Sequence, residues 1–454
     1  MTIKNSFNRG SRRVTRRQAL QIAALGAGGT LLAACAPAAT QAPTSAPVAT
    51  AVPPTAAPTA APAVTLRYQQ HWSKETDAHY EGMKWLFSSF AAKYPNITIK
   101  DVLIPDSTEM HTKTLADCAA GDCPEIIHEA GRDFWDAGYL TDLTPYIDAD
   151  PAWKSILVDS TLFRADGKIY AICAESVVLP VLWNTRILDA AGVSAVPKTW
   201  DELLAAGEKI KSSGKLVTSW GVGGTRAWHD IVASQKGGLD ALAKNQFDAP
   251  VFLDAFTRMK VFVDNKWIPD NEIELTWQQS IAQFVAEDTA FYLDGAWTIG
   301  NNIIGAGAAP DLKDVVVYAP FPSVGENGTT VELKKGTPVG LSKAVGDDPV
   351  KLDAGLKFLK HYFSVEAAKQ WILLTKSPMG VKVDLSSMTG VDPLLLAFLA
   401  AQDQADFVYG LPETLAMEER GWDDSWSGLQ ALMAGKSAAE AEKAFVTEMS
   451  KYAS

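Results

Sequence analysis

The sequence is poor in cysteine and histidine, with 4 Cys and 6 His in 454 residues. Four cysteines cannot build the dense disulfide framework of a small secreted scaffold. The histidines are scattered, and none sits at ligand spacing beside a cysteine, so no metal site is expected. Positive charge is also short: 41 Lys and Arg stand against 53 Asp and Glu, a net charge of -12. Six of those cations (Lys4, Arg9, Arg12, Arg13, Arg16 and Arg17) lie in the first 34 residues, which hold no acid. The remainder is therefore more acidic than the whole. Such a surface repels polyanions, which excludes nucleic acid as a partner. After the N-terminal stretch no apolar run reaches the ~20 residues of a membrane span, so the folded part is expected to be soluble. What is plentiful is ordinary globular material, 47% hydrophobic with 33 Gly and 24 Pro. The length predicts two or three domains.

Two arginine pairs, Arg12-Arg13 and Arg16-Arg17, precede a weakly apolar stretch from Ala19 to Leu32 that contains Gly26, Gly28 and Gly29. It is too short and glycine-rich to span a bilayer but suits the apolar core of an export signal. Thr15-Arg16-Arg17-Gln18-Ala19-Leu20 resembles a twin-arginine export signal, and Leu32-Ala33-Ala34-Cys35 looks like the lipobox of bacterial lipoproteins. The resemblance implies a signal peptide over residues 1–34, cleaved before a lipidated Cys35. Residues 36–63 hold 12 Ala, 7 Pro and 5 Thr, a composition that forms no core and favours extended polyproline II. With Cys35 they make a tether, residues 35–63, that holds a folded domain outside the cytoplasm. Setting Cys35 aside leaves room for one disulfide. Cys118 and Cys123 close a short loop at a helix-to-strand turn and are the candidate pair, with Cys173 left over.

From about Val64 the pattern turns globular. Thr65–Gln69 reads as a strand. Tyr80, Met83, Phe87 and Phe90 recur with helical spacing, and Ile97–Leu103 reads as a second strand. A helix over Glu109–Ala119 and a short strand over Glu125–His128 follow. Strand, helix, strand, helix, strand predicts a mostly parallel sheet with helical crossovers. Thr199 with Glu202, and Ser437 with Glu440, have the spacing of capping boxes, and Gly214 marks a helix end. Thr289–Leu293, Val315–Ala319 and Val339–Ser342 read as further strands. Periodicity alone gives an α/β protein of two lobes.

Motifs of catalysis are lacking. His128-Glu129-Ala130-Gly131-Arg132 has Arg where a zinc-binding HExxH helix needs its second His. Ala434-Gly435-Lys436-Ser437 ends like a phosphate loop, but Gln430 stands where the earlier Gly belongs. No GxSxG elbow occurs. A glycosidase carboxylate pair stays open at this point, because the sequence does not give the separation of its acids.

From Asp166 onward a set of blocks resembles the extracellular solute-binding proteins of sugar ABC importers, the family that includes maltose-binding protein. Asp166-Gly167-Lys168-Ile169-Tyr170-Ala171-Ile172 is similar to the family's DGKlYgiP stretch, with Cys173 where Pro is usual. Leu182-Trp183-Asn184-Thr185-Arg186 matches a strand end, and Ala191-Gly192-Val193 with Pro197-Lys198-Thr199-Trp200-Asp201-Glu202-Leu203 matches "aGv…PkTWdEl", the most specific segment. The run from Ala286 to Trp297 resembles the "GkaAM…GpW" block, with Glu287-Asp288 replacing its usual Gly-Lys turn. Gly121 to Ile127, followed by Gly138-Tyr139-Leu140, resembles "G-x-PDvv…Gll". The resemblance implies a two-lobed periplasmic-binding-protein-like α/β fold with a hinge and an interlobe ligand cleft. It places lobe one at 64–174 plus 298–340 and lobe two at 175–297 plus 341–454. It further implies a monomeric receptor without cofactor or catalytic residues. Its partners would be a sugar ligand, the permease subunits of an ABC importer and, through the lipid alone, the membrane. A secreted glycoside hydrolase, or the same fold with a non-sugar solute, is the alternative.

The same resemblance nominates the site. An aromatic ring can cover the apolar face of a sugar while polar groups take its hydroxyls. Trp297, after Asp294-Gly295 at a strand end, matches the family's ligand-stacking Trp. Trp426 matches a second stacking aromatic, and Trp228 and Trp72 lie where the lobes present contacts. Glu175, just before the hinge strand, and Glu129, after the third strand, match ligand-binding acids; a carboxylate accepts two hydrogen bonds from vicinal hydroxyls. Trp85, Trp200, Trp267 and Trp371 are expected to be core residues.

Overall fold

Among the described residues eleven strands form, most of them where β-branched and aromatic residues cluster between turns. They are β1 (Val64–Gln70), β2 (Ile97–Leu103), β3 (Ile126–His128), β4 (Leu162–Ala165), β5 (Lys168–Leu179), β6 (Val181–Asn184), β7 (Leu216–Thr218), β8 (Thr289–Leu293), β9 (Val316–Ala319), β10 (Thr330–Leu341) and β11 (Phe407–Tyr409). The structure is a computed structural model that describes residues 62–73, 77–221, 223–305, 308–411 and 420–450. The expected signal peptide, Cys35 and the tether up to residue 61 lie outside the described residues. Among the described residues, no helix is long and apolar enough to cross a membrane.

The strands form two sheets. The first has the order β2-β1-β3-β10-β5-β4, with β11 on the far end of β10; the second runs β7-β8-β6-β9. β1 pairs in parallel with β2, from Val64 opposite Ile97 to Gln70 opposite Leu103, and with β3, Tyr68 opposite Ile126. Helical crossovers make these parallel pairings possible. The first crossover, His79–Lys93, buries Gly82, Met83, Leu86 and Phe90 on one stripe, so Tyr80 and Phe87 of the expected stripe sit at its edges. Gly82 is there for space: a Cβ would lie 2.8 Å from the Trp371 ring.

β5 and β10 carry the chain between the sheets. β5 ends at Leu179, Pro180 supplies no N–H to a ladder, and β6 begins at Val181 in the second sheet. β10 lies antiparallel between β3 and β5. It begins beside Phe321, which follows β9 of the second sheet. The sequence pattern shows only its Val339–Leu341 end, because Lys334, Lys335, Gly336, Thr337 and Pro338 interrupt its apolar run. Both expected capping boxes form, at Thr199–Glu202 and Ser437–Glu440. Cys118 is disulfide-bonded to Cys123, tying the end of helix Ser107–Ala119 to the turn before β3, and Cys173 is a buried free thiol.

The apolar clusters follow the sheets, and they correct the expected lobe boundaries in two places. β9, expected in lobe one, pairs with β6 of the second sheet. Helices Pro349–Tyr362 and Val365–Thr375, expected in lobe two, bury Phe358, Leu359, Tyr362 and Trp371 in one cluster with Leu66 and Tyr68 of β1. The reason is the direction of β10, which returns the chain to the first sheet before those helices begin. A third cluster, with Val178, Leu182, Tyr292, Val331 and Phe398, bridges both sheets where β5 and β10 cross.

Trp228 is also a correction. It is fully buried, stacked on Phe252 at 5.7 Å and packed 4.9 Å from Phe445 in the second core. Arg226, two residues earlier, is turned the other way on the same helix, Gly223–Ser234, and it is the residue that reaches the cavity. Trp426 is half-buried against that same core.

Candidate functional site

A cavity of about 720 Å³ lies at the carboxyl ends of β1 and β3, where open α/β sheets hold their ligands. Its first wall comes from the first sheet: His71 and Trp72 after β1, Glu129 after β3, Glu175 on β5, and Lys334 to Pro338 on β10. Its second wall carries Arg226, Trp277, Trp297 and Asn301. The polar break that hid β10 in the sequence is therefore the part of that strand facing the cavity. Of the residues nominated from sequence, Trp72, Glu129, Glu175 and Trp297 line the space. Trp228 and Trp426 are not among its lining residues.

Trp297 is half-buried, with a ring that shares its surroundings with two cations. The Arg226 guanidinium stands 5.4 Å and the Lys334 ammonium 5.8 Å from its centroid. The loop that delivers it depends on Gly295, where a Cβ would meet the Trp297 ring at 2.2 Å. Asp294 anchors the group. Fully buried, it accepts from Arg226, from the Gly295 amide at 2.8 Å and from Trp277 Nε1 at 2.6 Å. Asp294, Arg226, Trp277 and Lys334 were not nominated from sequence. Asp294 sits in the quoted Trp297 block, so that block held a signal for it; the others gave none, because only the fold brings them to Trp297.

On the opposite wall His79 is held between two carboxylates. Its Nδ1 lies 2.5 Å from Asp77 Oδ1 and its Nε2 2.7 Å from Glu175 Oε1. The ring is 1% exposed and stacks on Trp72 at 4.5 Å, planes 17° apart. Burial disfavours the imidazolium, but Asp77 and Glu175 outweigh that cost and push its pKa up to about 10. The same pairing keeps both acids below their ordinary values despite their own burial. Glu175 Oε2 also accepts from Thr337 at 3.0 Å. Glu175 thus borders the cavity with both oxygens already engaged, and Trp72, 2% exposed and packed in the first core among His79, His128 and Trp371, touches the cavity only at its edge. Lys334 is pushed down from the usual lysine value by burial and then by Arg226.

Glu129 follows β3 with a left-handed φ of 59° and lies 3.5 Å from His71 Nδ1. His128, at the end of β3, is buried behind them, its Nδ1 2.8 Å from the Tyr68 hydroxyl; burial keeps it far below the usual imidazole value. Scattered in sequence, four of the six histidines meet in or beside this cavity: His71, His79, His111 and His128.

The arrangement has walls from both sheets, aromatic surface, and fixed donors and acceptors. The sequence pattern described as bacterial extracellular solute-binding protein matches residues 72–369. The chain belongs to that family. Its members bind solutes and are not enzymes. Among its relatives, the multiple sugar-binding protein of Streptococcus mutans is 23% identical over 342 residues, spanning 70% of this chain and 76% of the other. Among solved structures, a chitin oligosaccharide binding protein superposes with a TM-score of 0.75 at 20% identity, covering 86% of this chain and 99% of that one. An ABC substrate-binding protein from Listeria monocytogenes, in complex with cycloalternan, gives 0.68 at 19% identity, over 86% and 98%. These likenesses establish the two-lobed solute-binding fold.

The His79 arrangement makes a prediction about pH. A group whose pKa is raised on folding stabilises the fold fully below its unfolded value, 6.5 here, and that stability is lost as pH rises through about 10. Denaturant unfolding of wild type and His79→Gln is expected to give a stability difference that shrinks steadily from pH 6.5 to 10. A difference that stays constant over that range would show that folding does not hold His79 as an imidazolium.

Proposed function

We propose that this protein is a lipid-anchored receptor that captures a sugar or oligosaccharide in the cleft and delivers it to the permease of an ABC importer. The observation that carries the reading is Trp297, a partly accessible ring on one wall of a cavity whose other wall offers carboxylates and lysines. A pyranose presents an apolar C–H face and a rim of hydroxyls, and an aromatic platform with polar groups around it satisfies both. The volume lies within the range of small-molecule sites. The sugar ligands named for the Streptococcus and chitin oligosaccharide proteins support the same class. Both walls come from one chain, so a monomer suffices. Anchoring rests on the lipobox ending at Cys35, the proline-rich tether and the preceding arginine pairs, which fit a twin-arginine route.

Two measurements test the reading. With a ligand chosen by thermal-shift screening of mono- and oligosaccharides, isothermal titration on Trp297→Ala should show affinity ~30- to 1000-fold weaker, the ~2–4 kcal/mol of a buried aromatic anchor. Wild-type affinity in the folded variant would assign Trp297 to packing. In the native host, Cys35→Ser should move the protein from the membrane to the soluble exported fraction. Retention of the variant on the membrane would overturn the lipid anchor.

A further inference from the structure

We propose that His71, His128 and Glu129 form a binding site for a divalent transition-metal ion, zinc being the best match, on the first-sheet wall of the cleft. The topology builds the cluster. β1 and β3 are parallel neighbours with Tyr68 opposite Ile126 and Gln69 opposite Ile127. β1 ends at Gln70 and β3 at His128, so His71 and Glu129 are the first residues beyond the two neighbouring strand ends. The ligating atoms of the three residues lie within 4.8 Å of one another. His71 Nδ1 and Glu129 Oε1 are 3.5 Å apart, close to the edge of about 3.3 Å that a zinc tetrahedron with ~2.0 Å bonds requires.

Two further observations point to a ligand. His128 is 1% exposed, and among the described residues its Nε2 has no hydrogen-bond partner, although an unpaired buried polar atom is costly. Its other nitrogen, Nδ1, is 2.8 Å from the Tyr68 hydroxyl, the outer-shell contact that orients a metal-binding histidine and leaves Nε2 to coordinate. Glu129, for its part, has a left-handed backbone, which is strained in a residue with a Cβ and aims its carboxylate at His71. Two imidazoles and a carboxylate are the donor set of an open zinc site, which keeps its fourth position for water or an incoming oxygen. His71 and Glu129 both border the cavity, so that position is within reach of a bound solute. The site does not depend on the sugar reading, and it is tested without any sugar present.

The experiment is a zinc titration of the chelator-treated full-length protein against a competing chromophoric chelator, with cobalt absorption as a second readout. One equivalent of zinc should bind with a dissociation constant at or below the micromolar range, and cobalt should give the intense visible bands of tetrahedral coordination. His71→Gln and His128→Gln, checked for folding by circular dichroism, should each weaken zinc at least 100-fold. Tyr68→Phe, which touches no metal, should weaken it ~10-fold or more through the lost orienting contact, and His361→Gln, away from the cleft, should leave it unchanged. Absence of stoichiometric zinc from the wild type, or unchanged affinity in folded His71→Gln and His128→Gln proteins, would overturn the proposal. Either result would leave sugar binding at Trp297 untouched.

Discussion

The antiparallel pairing of β5 with β10 is the constraint on which the site depends. These strands run side by side from Ala171 opposite Gly340 to Val178 opposite Leu333. At one end they form the centre of the first sheet; at the other they lead into the second through Pro180 and through the segment that follows β9. Because a strand's side chains alternate between faces, two long strands can bury apolar residues in the sheet while turning polar ones into a cleft. Val339, Leu341 and Ile172 serve the first core, and Val331 and Val178 the bridging cluster, while Glu175 and Lys334, of the opposite parity, border the cavity, joined by Thr337 where a left-handed φ of 46° breaks the alternation. The pair is thus at once the connection between the sheets and part of the floor of the site.

Around that floor, buried charge is handled by pairing. Taking a carboxylate or an imidazolium out of water costs several kcal/mol unless the partner is close and the remaining hydrogen-bonding capacity is met. On one wall Asp77, His79 and Glu175 satisfy one another, with Thr337 on the remaining Glu175 oxygen. On the other, Asp294 is shared by Arg226, Trp277 and its neighbouring amide. Such networks fix side chains before a ligand arrives, and pre-organisation reduces the entropy lost on binding. Trp72 stacks on His79, and Trp297 lies beside the Arg226 guanidinium, so each charge network also touches an aromatic ring.

Much of the fold was legible in the sequence because its elements are locally consistent. β2, β8 and both capping boxes form where the pattern put them, and the family blocks led to the two-lobed architecture. Legibility failed where a residue answers to a distant neighbour. β10 was only partly visible because its middle is polar for the sake of the cleft. Trp228 and Arg226 share a helix, and only the packing of Phe252 and Phe445 decides which of them turns inward. Trp297 could be nominated from its strand-end block, whereas its partners Trp277 and Lys334 lie on other elements. The histidine cluster was hidden for the same reason, since β1 and β3 are far apart in sequence and adjacent in the sheet.

The central claim is that one solute is held between walls from both sheets and draws them together about β5 and β10. A ligand that contacts both walls favours the closed arrangement by its differential affinity for it. Small-angle X-ray scattering on the protein, with and without a saturating sugar identified by titration, measures this directly. The account predicts a smaller radius of gyration in the liganded state. An unchanged radius at full occupancy would contradict it and leave the cleft a rigid pocket.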